Sequence, residues 1–155
     1  MIPADLFSTV ADFAGVLAAF SASLFCGAAS YISLVEHPAR LECGGELAAT
    51  EFQPSYRRAA RMQVTLALVS TLAAITAAAM GGLWLWLLGG ALIFAVIPFT
   101  FLAIMPINRQ LQATGLKKHS SATFVLLEQW GRLHAIRTAM SLLACLIDFT
   151  VLMVD

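Results

Sequence analysis

Near the end of the chain, the run Trp130-Gly131-Arg132-Leu133-His134-Ala135-Ile136-Arg137 gathers an indole, an imidazole and a guanidinium within about two helical turns. Read as a helix, Trp130, His134, Arg137, Ser141, Cys145 and Asp148 recur at steps of three or four and share one face. An imidazole can accept a proton near neutral pH, a guanidinium can hold an oxyanion, and an indole offers a flat surface to an aromatic ring. A second set of reactive groups, Glu36 and His37, precedes Pro38. Together with His134 they supply two nitrogens and a carboxylate, a set that suits iron or copper, although residues from such distant segments have no diagnostic spacing. Cys26 and Cys145 each lie 11 residues from the histidine of their own segment, about 16 Å along a helix. Equal depth would permit redox chemistry between them, while the plain reading of a buried cysteine is a small hydrophobe.

The chain that must position these groups is 60% hydrophobic and 12% charged over 155 residues. That is too little polar surface to cover a water-soluble globule, so one integral membrane domain over residues 1–155 is expected. Between Arg61 and Arg109 there is no Asp, Glu, Lys, Arg or His, and the gap holds two spans of bilayer length. Phe13 to Val35 is a third uncharged run, and Thr138 to Val154 a fourth, broken only by Asp148. The expected fold is an all-α, four-helix transmembrane bundle with helices at about 6–35, 54–80, 83–105 and 122–154. Lipid would leave the polar stripe of the last helix without partners, so that stripe is expected to face protein.

All nine Lys and Arg lie in or beside the connections between the first and second and between the third and fourth spans. The positive-inside rule places both connections in the cytoplasm, with both termini and the Gly81-Gly82 turn outside, on the assumption of a bacterial inner membrane. Topology alone explains these basic residues, and they give no support to nucleic acid binding. Met1 to Asp5 carry no positive charge, so a cleavable signal is not expected. Cys26, Cys43 and Cys145 form neither a disulfide framework nor a zinc motif.

In the first span, Gly15, Ala19, Ser23 and Gly27 repeat every four residues, a pattern that lets membrane helices pack closely. Pro38 is expected to stop that helix, Ala39 to Gln53 to form a solvated loop, and Pro54 to open the second helix. Tyr56, Gln63, Ala67, Ser70 and Ala74 share one face of it. Pro98 is expected to kink the third helix, and Pro106 followed by Arg109 echoes Pro38 followed by Arg40. Ser120-Ser121 reads as the cap of the last helix, and His119 as an exposed loop residue.

Four motifs occur in order: Glu36-His37-Pro38-Ala39-Arg40, Pro54-Ser55-Tyr56-Arg57-Arg58, Pro106-Ile107-Asn108-Arg109 and the run from Trp130 to Arg137. Together they resemble the anthrone oxygenase-like family of small four-helix membrane proteins. The resemblance implies a four-helix bundle and, by analogy with fungal members, oxygenation of an aromatic polyketide anthrone to an anthraquinone.

If the first and last helices are neighbours, Glu36, His37, His134 and Arg137 approach one another, with Asn108 and Gln63 at similar depth. In one chemistry, an anthrone-like carbon acid lies under Trp130, His134 removes its proton, and Arg137 and Asn108 stabilise the enolate, which reacts with oxygen without a metal. His37 completes the catalytic set, and Trp130, Tyr56, Gln63 and Ser33 are the expected substrate contacts. In another, Glu36, His37 and His134 ligate a single iron or copper ion. The expected partners are the lipid bilayer, a small aromatic ligand and a further copy of the chain. The competing class is a non-enzymatic membrane module, a small carrier or partner-binding subunit, with a purely structural polar cluster. Asp148, about 21 Å along the helix from His134, would serve that class better than the first.

Overall fold

The computed structural model describes residues 4–154, all of them in helices or short turns. Four helical runs are each long and apolar enough to cross a bilayer. The first, α1, comprises Ala4–Tyr31, a π-helical turn at Ile32–Glu36, and His37–Glu42. The second, α2, is Gly45–Gly81. The third, α3, comprises Leu85–Phe99, a π turn at Thr100–Ile104, and Met105–Leu111. The last, α4, is Ser121–Val154. The expected four-helix, all-α membrane architecture is what the chain adopts.

The prolines act differently from the expectation. Pro38 does not stop α1, and Pro54 lies inside α2 rather than at its start. The stretch expected as a solvated loop is therefore helical except at the turn around Cys43-Gly44. A proline ring clashes with the carbonyl four residues earlier, which for Pro38 and Pro106 belongs to Leu34 and Leu102. Both carbonyls fall inside the two π turns, whose wider winding gives the ring room. The His37 N–H reaches the Ile32 carbonyl and the Met105 N–H reaches the Thr100 carbonyl, so each turn closes on a five-residue step. The echo between Pro38 and Pro106 thus has a structural counterpart, a π turn followed by proline at the second position of the next α segment. In α3 this turn begins two residues after Pro98.

Three layers of side chains hold the bundle together. At the end carrying the Gly81-Gly82 turn, Trp86 fills the space between Ala14, Ala18, Ala73, Ala77 and Val151. Gly82, at φ 77°, closes α2 by donating its N–H to the Ala78 carbonyl. In the middle, Phe25, Ala29, Ala67, Ile93, Val96 and Ala144 pack together. Small residues let α1 and α2 approach until the Ser70 hydroxyl donates to the Ala18 carbonyl at 3.0 Å. At the end carrying the basic connections, Ile32, Phe52, Ile104, Leu127 and Trp130 form the third layer. Its lid is polar: Ser120 caps α4 by accepting the Thr123 N–H at 3.2 Å, Lys118 donates to Thr50, and exposed His119 pairs with Glu46.

Candidate functional site

The polar face of α4 points into the bundle. Trp130, His134, Arg137, Ser141 and Asp148 are all buried, while the intervening Ile136, Leu142, Leu143, Leu146 and Phe149 are exposed along the apolar outside. Trp130 organises the basic end. The His134 ring stacks on it with centroids 4.7 Å apart, His37 packs on it at 5.1 Å, and Phe52 meets it edge-on at 5.2 Å. Its indole N–H donates to Asn108 Oδ1 at 2.9 Å, which ties α4 to the segment of α3 beyond its π turn. His37 comes so close to the α4 backbone that a Cβ at Gly131 would stand 2.5 Å from its Nε2. Glycine at 131 is a packing requirement of the neighbouring imidazole.

Proton counting favours one tautomer of His134. Its Nδ1 lies 3.0 Å from Ser33 Oγ, and Ser33 Oγ lies 2.8 Å from Thr138 Oγ1. Thr138 in turn reaches the carbonyls of His134 at 3.0 Å and Ala29 at 3.2 Å. Each hydroxyl has one proton to give, and carbonyls only accept. The assignment that satisfies most groups runs from His134 Nδ1–H to Ser33, from Ser33 to Thr138, and from Thr138 to a carbonyl. It leaves His134 Nε2 with a bare lone pair, the form a proton acceptor needs.

Beside it, Arg40 is buried and paired with two carboxylates. It donates to Glu36, lies 2.5 Å from Glu51 through Nε, and sits over the Phe52 ring. Ser55 donates to the same Glu36 oxygen at 2.8 Å. Glu36 is thus neutralised within its own helix. Glu36 and Arg40 stand four residues apart, a pairing that exists only because α1 continues through Pro38.

Arg137 has no carboxylate within ion-pair reach among the described residues. Its guanidinium donates to Gln63 Oε1 and lies 5.1 Å from the centre of the Phe25 ring. Its Nε and the Gln63 Nε2 have no hydrogen-bond partner among the described residues. The Arg137–Gln63 pair separates two spaces. On one side is a cavity of about 20 Å³ bounded by Glu36, Trp130 and His134, enough for one water. On the other is a pocket of about 450 Å³ between α2 and α3, lined by Phe25, Val96, Ile97, Phe101 and Met105. Tyr56 and Gln63 border both.

The structure therefore brings His134, His37, Trp130, Ser33 and Asn108 into one connected group, with Arg137, Gln63 and Tyr56 at its edge. Asn108 reaches that group through the Trp130 indole and lines neither of the two spaces. Among the described residues no three of His, Cys, Asp and Glu are grouped as a metal ion requires. Glu36 is taken up by Arg40 and Ser55, and both imidazoles pack against Trp130, so Glu36, His37 and His134 do not fit as a ligand set. Cys145 pairs with Ser23 at 3.3 Å and Cys26 with Ser30 at 3.9 Å. Asp148 is fully buried against Gly89, well away from His134. The sequence reading missed Arg40, Phe52, Ser55 and Thr138. Thr138 stands four residues from His134 and Arg40 four from Glu36, so helical spacing carried the signal for both.

No curated protein and no solved structure matches the chain. The family model described as anthrone oxygenase matches residues 52–147, which takes in most of α2, all of α3 and most of α4 and includes Tyr56, Gln63, Asn108, Trp130, His134 and Arg137. More than half of the sequence lies in that match, and the chain belongs to the anthrone oxygenase family.

Proposed function

We propose that the protein is a membrane-embedded oxidoreductase that oxygenates an anthrone-like aromatic carbon acid, with the basic end of the bundle on the cytoplasmic side. The observation that carries this reading is His134: buried, stacked on Trp130, its Nδ1 engaged by Ser33, its side chain bordering a cavity that Arg137 also lines. The substrate lies in the larger pocket with its carbonyl oxygen towards Arg137. Its acidic C–H proton passes to His134 Nε2 through water, the small cavity beside His134 having room for one molecule. Arg137 holds the enolate oxygen, where a positive charge shielded from water is most effective. The enolate carbon then bonds to molecular oxygen. The resulting peroxide takes the proton back from His134 and loses water, leaving the second carbonyl of the quinone. One anthrone and one oxygen molecule thus give one anthraquinone and one water.

The test is anthrone-dependent oxygen uptake and quinone absorbance with protein purified in nanodiscs, comparing wild type with His134→Ala. The expected result is loss of both signals in a variant that keeps its helical circular dichroism. Full activity in that variant would end the mechanism.

A carrier reading has one observation in its favour, the fully buried Asp148, whose carboxylate oxygens lack hydrogen-bond partners among the described residues. Proton-coupled flux into liposomes, lost in Asp148→Asn, would support it over the enzyme.

A further inference from the structure

The pocket between α2 and α3 poses a problem that the chain itself does not solve. Arg137 is only 8% exposed, and a buried charge without a counter-ion is costly. Gln63 accepts one of its N–H groups and Phe25 offers a ring face, but neither carries negative charge. The unpartnered Arg137 Nε and Gln63 Nε2 belong to side chains that both line the pocket. Both nitrogens are themselves buried, so what the pair brings to the pocket is the uncompensated positive charge of buried Arg137, which a single oxyanion would balance.

Apart from Tyr56, Thr65, Thr100 and the exposed Arg61, the rest of the lining is apolar, and its volume of about 450 Å³ is that of a small-molecule site. Its mouth lies between helices whose residues from 62 to 108 include no charged side chain. Val64 and Phe101, 42% and 61% exposed, border it, so this side faces hydrocarbon rather than water. The π turn of α3 contributes Thr100 and Phe101 to the wall.

From this geometry we infer that the pocket is a lateral binding port: a planar aromatic molecule bearing an acidic hydroxyl, dissolved in the bilayer, enters between α2 and α3 and binds with its ionised oxygen on Arg137. The inference rests on the oxygenase reading only for the ring system it names. Charge complementarity selects this occupant over a lipid acyl chain, which would leave Arg137 as it is.

The probe is 1,8-dihydroxyanthraquinone, which already carries both ring carbonyls and lacks the CH2 group that an anthrone presents for oxidation. Bound to protein in nanodiscs of neutral lipid, it is expected to show its phenolate absorption band at a lower pH than free probe in empty nanodiscs. Arg137→Gln should abolish that shift and weaken binding at least about tenfold, while Arg137→Lys, which keeps the charge, should retain part of the shift. Val64→Trp, at the mouth and outside the Arg137–Gln63 pair, should weaken binding at least about tenfold with the fold intact. Equal binding by wild type, Arg137→Gln and Val64→Trp overturns the inference, as does a tightly held lipid that the probe fails to displace. Oxygen uptake on the same samples separates the two readings. Arg137-dependent binding without anthrone oxidation leaves the port and removes the oxygenase, whereas oxidation with probe binding indifferent to both substitutions does the reverse.

Discussion

Ser33 Oγ stands 3.0 Å from His134 Nδ1, joining α1 to α4 through the ring that would have to move a proton. With Ser33 donating its own proton to Thr138, the bond holds the imidazole in the Nδ1–H tautomer, which leaves Nε2 free to accept a proton. In Ser33→Ala this preference should disappear. Nitrogen-15 shifts of His134 are expected to move from a dominant Nδ1–H form to a mixture, and anthrone oxidation to fall about tenfold. Ser33→Thr, which restores the hydroxyl, should recover most of the rate. Unchanged nitrogen shifts in Ser33→Ala would show that the hydroxyl does not set the tautomer.

Trp130→Phe keeps an aromatic ring against both histidines but removes the N–H that Asn108 accepts. A buried carbonyl left without a donor costs about 1–3 kcal/mol, while hydrogen bonds between membrane helices often contribute less, about 0.6 kcal/mol. Thermal unfolding in detergent should therefore show a lower Tm for Trp130→Phe. Asn108→Leu in the same background should cause little further loss, because the Asn108 carbonyl oxygen and the Trp130 N–H are each other's partners. Fully additive losses would mean that the bond between α3 and α4 contributes nothing.

Gly131→Ala should act on a residue it is not adjacent to in sequence. The new methyl would stand 2.5 Å from His37 Nε2, and such overpacking costs about 1–3 kcal/mol. Replacing His37 as well with alanine removes the clash, so the double variant should unfold at a higher temperature than Gly131→Ala alone. A double variant less stable than either single one would contradict this packing relation.

Chelation is expected to leave anthrone oxidation intact, since Glu36, His37 and His134 do not converge on one point. Metal analysis by mass spectrometry on protein purified without chelators checks this directly. Stoichiometric iron or copper that vanishes in both His37→Ala and His134→Ala would overturn it.

The four spans were legible because hydrocarbon demands long uncharged runs, and the inward face of α4 because an imidazole, a guanidinium and a carboxylate at helical spacing have no place in lipid. Prolines misled. In water Pro38 and Pro54 would be strong boundary signals, but here packed neighbours and π turns absorb them, so both helices extend past the expected limits. That extension brings Arg40 onto Glu36 and Phe52 onto Trp130, contacts invisible as long as residues 39–53 were read as a loop. The division of space by Arg137 and Gln63 was equally hidden, because it depends on the distance between α2 and α3 and no spacing within one helix reports that.

Each π turn also has a consequence for the chain as a text. One added residue per turn advances every later side chain by about 100° around the helix axis. Deleting Leu34 or Val35 from the first π turn would keep every motif spelled as it is, yet swing His37 and Arg40 off the bundle-facing side of α1. A single-residue deletion in Thr100–Ile104 would turn Asn108 away from Trp130. The half of this protein that carries the basic connections is therefore phased by two single-residue insertions. A variant that restores an unbroken α-helical count would have all the right letters on the wrong faces.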